Sequence, residues 1–255
     1  MKAAAAIAFA LFLVYSLISR SHSEPQEKDQ SKPGPKVYEC RWAKGQIEFD
    51  GVIKESAWAG AEPIEFRVAW QNRKPHSATK ARLLWDKDYL YFCAEMEDVD
   101  IYADNLEPNG RLWENDVFEL FFKPNANKLG YYEFQVNAAN TPLEMYLPSR
   151  GAGGYNRFGP LTEEFHVESF VKVDGTLNDY TDKDKGWTVE GRISWDAFKP
   201  TGGRPKAGDR WRFALCRFDY SVTLEQPEQS TSAPLTRPDF HRYEDYQELM
   251  FVERK

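Results

Sequence analysis

Short apolar runs that alternate with period two, each closed by turn residues and none continued into a long amphipathic helix, constrain this chain more than any other feature. Ala81 to Trp85 and Tyr89 to Met96 flank Asp86-Lys87-Asp88, an acidic turn that predicts a tight hairpin with Leu90, Phe92, Ala94 and Met96 on one face. Similar runs cover Val117 to Phe122, Tyr131 to Asn137, Phe165 to Val173, Trp187 to Ile193, Trp211 to Phe218 and Glu248 to Val252. Only Glu55 to Gly60 and Trp195 to Phe198 read as brief helical pieces. Strands recurring roughly every dozen residues predict an all-β fold, a two-sheet antiparallel β-sandwich of jelly-roll type. The aromatic content, eight Trp, thirteen Tyr and seventeen Phe, suits the core such a sandwich needs.

The N-terminus reads differently. Lys2 precedes an apolar run from Ala3 to Ile18, and Ser21-His22-Ser23 supplies small residues where a signal peptidase cuts, so residues 1–23 are expected to be a signal peptide cleaved after Ser23. The competing reading is a retained membrane anchor. Residues 24–36, EPQEKDQSKPGPK, are charged and lack apolar periodicity, which predicts a disordered tether; a single domain is expected over 37–255. The mature protein would then be secreted, periplasmic or held at the cell surface. Losing Lys2 and Arg20 takes the formal charge from −7 to −9, which makes nucleic acid and anionic membranes poor partners. Cys40, Cys93 and Cys216 make an odd count with no CxxC spacing, leaving one disulfide or buried free thiols both open.

The segment RLWENDVFELFF poses the chemical question. Asp116 to Phe122 reads as a strand buried on both faces, yet Glu119 lies between Val117 and Phe121 on its own side. A carboxylate there is expensive unless it is paired or faces a wet concavity. In YYEFQVN, Tyr132, Phe134 and Val136 point one way and Glu133, Gln135 and Asn137 the other. Paired with the Glu119 strand, Gln135 and Asn137 share its face, giving the fixed donors and acceptors that sugar hydroxyls require. Trp113 stands at the mouth of the same strand, where an indole can cover the C–H face of a pyranose. The alternative has Trp113 capping the core and Glu119 paired to an arginine such as Arg217.

These segments resemble the family 9 carbohydrate-binding modules. LWENDVFELFF followed by YYEFQVNAAN is similar to their core, FDGVIKESAW to their entry motif, ARLLWDKDYLYFCAEMEDVD to their first hairpin, GWTVEGRISWDAF to a later strand and turn, and DFHRYEDYQELMF to their closing segment. The resemblance implies a β-sandwich that holds a terminal sugar between two aromatic rings. It implies that Trp113 is the first ring, Glu119 a hydrogen-bonding acid and Asn137 a hydrogen-bonding amide. Gln135 stands where some members carry Arg, and Phe240, counted back from Tyr246, stands for the second ring, usually a Trp. The expected protein is a monomeric, non-catalytic carbohydrate binder, alone or with a partner enzyme.

Other constellations carry less. EDVDIYAD and NDYTDKDKG are acidic loops, and the resemblance implies structural calcium, with Asp98 and Asp182 or Asp184 as ligands; no cofactor is otherwise required. Glu119 and Glu133 could be a hydrolytic carboxylate pair, but no hydrolase signature accompanies them. Met96 and His166 could in principle hold a haem b. A structural surface protein with a degenerate sugar site is the remaining reading.

Overall fold

The computed structural model describes residues 37–150 and 166–253, so the expected signal peptide, its cleavage point and the tether lie outside the described residues. Twelve strands form: β1 Tyr38–Trp42, β2 Ile64–Glu65, β3 Thr79–Trp85, β4 Tyr89–Glu97, β5 Val117–Lys123, β6 Tyr131–Asn137, β7 Pro142–Leu147, β8 Val167–Asp174, β9 Gly186–Ser194, β10 Arg210–Asp219, β11 Glu228–Thr231 and β12 Gln247–Val252. The helical pieces are short 3-10 turns, among them Trp58–Gly60, Leu112–Glu114 and Trp195–Thr201.

Hydrogen bonding runs in one path, β7-β6-β5-β10-β12-β1-β3-β4-β9-β8, with β11 on β10 and β2 on β3. The path folds over on itself. Phe118 of β5 stacks on Phe92 of β4 with ring centroids 6.1 Å apart, and on Phe66 at 6.3 Å, so the β5 half and the β4 half pack face to face. The all-β sandwich is therefore borne out. Its pairings differ from the wholly antiparallel expectation at one place, because β1 runs parallel to both β12 and β3 and joins the two layers into a nearly closed sheet.

Local chemistry explains the elements. In the β3–β4 hairpin the Asp86 carboxylate accepts the N–H groups of Asp88 and Tyr89, each at 2.8 Å, which is how an acidic residue closes so tight a turn. Leu90, Phe92, Ala94 and Met96 then enter the core together. Gly191 of β9 lies opposite Phe92, where a Cβ would come within 2.4 Å of that ring, so only glycine lets the aromatic in. All three cysteines are buried free thiols, which answers the open question in favour of packing.

β5 and β6 are buried along their whole length on both faces. Phe118, Leu120, Phe122, Tyr132, Phe134 and Val136 point into the sandwich core. The opposite face carries Val117, Phe121 and Tyr131, which pack with Phe240 and Tyr246 of the C-terminal segment into a second, smaller cluster. That covered outer face positions the site.

Candidate functional site

Strand register sets the base of the site. Glu119 of β5 stands directly opposite Gln135 of β6, and Phe121 opposite Glu133, so period-two alternation brings Glu119, Glu133 and Gln135 to one face. Trp113 is held in the 3-10 turn just before β5, half-buried at the rim, with its carbonyl accepting the Tyr220 hydroxyl at 2.8 Å. The segment 238–241 closes the other side. Together these groups line a cavity of about 590 Å³ whose walls include Phe121, Met145, Leu147, Phe218 and Phe240.

Hydrogen bonding at the base is incomplete. Gln135 Nε2 donates to Glu133 Oε1 at 2.6 Å, while Glu133 Oε2 lies 4.0 Å from His241 Nδ1. That nitrogen is 2.9 Å from the Tyr131 hydroxyl. Glu119 Oε1 and Gln135 Oε1 are buried acceptors with no partner. Burial pushes the Glu119 carboxyl well above the usual carboxylate range, and the adjacent Glu133 adds to the shift. Glu133 is also raised by burial, with His241 and the Gln135 bond pulling it back. A saccharide or other donor-bearing group could satisfy these acceptors while an aromatic rim holds its apolar face.

Of the expected sugar-contacting residues, Trp113, Glu119, Gln135 and Phe240 meet at this cavity. Phe240 is a wall rather than an open platform: it is only 6% exposed and packs edge-on against Phe218 with centroids 5.2 Å apart. Asn137 is a correction. It is 0% exposed, its Nδ2 donates to Asn105 O at 2.8 Å and Asn115 Oδ1 at 3.2 Å, and its Oδ1 accepts from Thr141 N at 2.8 Å. As the last residue of β6 it clamps the turn beyond and does not line the cavity. Nor does Glu119 pair with Arg217, which points to the opposite face of β10 and bonds Asp98 at 2.9 Å. Sequence reasoning missed Arg150 and Asp239, which lie on loops, and Gln229, which lies on the short polar strand β11.

The acidic loops also resolve. Both Asp184 oxygens accept backbone N–H groups, from Thr176 and Ile101 at 2.7 Å each, so Asp184 clamps its own loop, while Asp182 is exposed. Asp98 instead joins Asp116 and Asp219, with carboxylate oxygens within 4.8 Å of one another, all buried. Arg217 bonds Asp98 and lies 3.3 Å from Asp219, neutralising one charge, and the adjacent Asp100 keeps a buried, unpartnered Oδ1. An all-oxygen donor set with excess negative charge fits a hard divalent ion.

The haem geometry does not exist. Met96 pairs with Trp187 at one end of β9, whereas the Ser194 N–H donates to His166 O at the other. Trp187 to Ser194 spans roughly 23 Å of strand, too far for both side chains to reach one iron. Met96 is core, and His166 Nδ1 sits 3.0 Å from Glu144.

Comparison with known proteins agrees with this fold. The family model described as "Carbohydrate family 9 binding domain-like" matches residues 49–233. The chain is 33% identical over 164 residues to endo-1,4-beta-xylanase A of Thermotoga maritima and 30% identical over 164 residues to that of Thermotoga neapolitana, covering 62% of this chain in each case. The match spans only 13% of the length of either xylanase. Among solved structures, a family 9 carbohydrate-binding module from Caldicellulosiruptor kristjanssonii in complex with cellotriose superposes with a TM-score of 0.59 at 17% identity, covering 86% of this chain and 95% of that one. A putative carbohydrate-binding protein from Bacteroides uniformis gives 0.65 at 18% identity, covering 84% and 97%. With that model spanning most of the described sandwich, the chain belongs to the carbohydrate family 9 binding domain-like family.

Proposed function

We propose that this domain binds the end of a saccharide chain without transforming it, as a secreted or surface-held monomer whose residues 1–23 are removed on export. The observation that carries the reading is that the half-buried Trp113 indole lines the same cavity as two unpartnered buried acceptors, Glu119 Oε1 and Gln135 Oε1. The ring covers a sugar face, and the acceptors take its hydroxyl protons. The complexes of related modules with cellotriose and with glucose support a carbohydrate ligand. The small share of each xylanase that matches supports a binding role rather than a catalytic one. Affinity should be modest, on the order of micromolar or weaker, about −8 kcal/mol.

A glycan array probed with wild type and Trp113→Ala tests this. Signal on defined glycans that disappears in a folded Trp113→Ala variant is the expected result. Signal on no glycan, or signal unchanged by the substitution, would overturn it and favour a structural role for the domain. Within the same reading, Asp98, Asp116 and Asp219 hold a structural calcium that offsets their shared charge and pins the loops after β4 and β10.

A further inference from the structure

Among the described residues, none at the base of the cavity brings a positive charge to Glu119. The buried glutamates outside the cavity are answered: Glu228 by Arg73 at 2.7 Å and the His76 N–H, Glu190 by Trp58 Nε1 and the Gly51 N–H at 3.0 Å each, and Glu144 by His166 and the Val167 N–H. Glu119 is 2% exposed and has no such partner for Oε1. The ionisable groups facing the cavity among the described residues are Glu119, Glu133 and Tyr131 from the sheet, Asp239 and His241 from the closing segment, and Arg150 from the loop after β7. Arg150 is already committed, with two nitrogens 2.7 Å from the two oxygens of Glu244 and its guanidinium 4.9 Å over the Tyr243 ring. His241 serves Glu133 and Tyr131. Apolar walls from Phe121, Phe218, Met145 and Leu147 keep the local dielectric low, so Glu119 holds its proton until a cation comes beside it and then ionises into a strongly felt pair.

A neutral hydroxyl offers one proton and brings no charge. An ammonium offers three protons and one positive charge, and can donate at once to two acceptors that face each other across adjacent strands. We infer that the cavity selects a saccharide end bearing a protonated amine, an amino sugar whose ammonium docks between Glu119 Oε1 and Gln135 Oε1. This rests on the saccharide reading above and specifies its ligand class.

Calorimetric titration at pH 6 and low salt with three β-1,4 disaccharides tests it: the glucosamine disaccharide, its di-N-acetylated form and cellobiose. The glucosamine disaccharide should bind about tenfold or more tightly than either neutral sugar, as a charged hydrogen-bonded pair at a desolvated site requires. Glu119→Gln, which keeps shape and an acceptor oxygen but removes the charge, should bring that ratio close to one. Cellobiose or the acetylated sugar binding as tightly as the amine would overturn the inference and leave the saccharide reading standing. An amine preference that survives Glu119→Gln would overturn the assignment to this carboxylate. Binding of none of the three would remove both.

Discussion

Asn137→Ala separates a sugar contact from a structural clamp. The wild-type side chain is 0% exposed and makes three hydrogen bonds, donating to Asn105 O and Asn115 Oδ1 and accepting from Thr141 N. Each bond contributes about 1 kcal/mol net, and truncation also strands buried partners at a further ~1–3 kcal/mol. The total is about 4–6 kcal/mol, or roughly 8–24 °C of melting temperature for a domain of this size. Urea denaturation with linear extrapolation measures the loss, and titration of the folded fraction with the array's best ligand measures affinity. The expected outcome is a large loss of stability with affinity within about threefold of wild type. A variant as stable as wild type that has lost its ligand would refute the clamp and restore Asn137 to the sugar site.

Phe118→Ala should cost about 3–5 kcal/mol, because that ring joins the two layers through Phe66 and Phe92; a urea midpoint that barely moves would show the layers held together elsewhere. Glu119 and Glu133 titrate higher in the folded than in the unfolded state, so their stabilisation is full below the unfolded value of ~4.3 and is lost as pH rises through the raised folded values. Glu119→Gln should therefore gain on wild type as pH climbs from about 4 to 8, read as a widening gap in urea midpoints; parallel profiles would contradict it. Calcium at a hundredfold excess over its dissociation constant should stabilise the protein by about 2.7 kcal/mol. Scanning calorimetry with and without a chelator checks this, and Asp116→Asn should remove most of the gain.

Much of the site was legible because strand alternation is a strict rule. The parity of YYEFQVN placed Gln135 beside Glu119 correctly, and the inward set Tyr132, Phe134 and Val136 is in the core. The same parity misassigned Asn137, since alternation tells which face a residue takes and not whether the strand ends there in a turn that claims its amide. β7 alternates Leu143, Met145 and Leu147 but opens on a proline, which disguises it, whereas β11, the four polar residues Glu228–Thr231, lacks the apolar signal that marks a strand, so Gln229 went unseen. The cover over Glu119 was beyond local reasoning altogether: Phe240 and Tyr246 come from more than a hundred residues downstream. A residue counted from a motif, Phe240, reached the right cavity but not the expected exposure, because edge-on packing depends on Phe218 across the gap.

The parallel position of β1 has a kinetic consequence. Before residues 247–252 are available, β1 can pair only through Arg41 with Leu84 and Trp42 with Trp85, while four of its residues await β12. β12 in turn lines up with β10 through Arg210 to Phe213. Closure of the barrel-like seam must therefore wait for β12, whose Leu249 pairs with Tyr38 across most of the domain's sequence, the slowest kind of contact for a chain to make. A nascent chain halted before Gln247 should expose the edges of both β1 and β10 to chaperones or to other chains, whereas release of six further residues zips both at once.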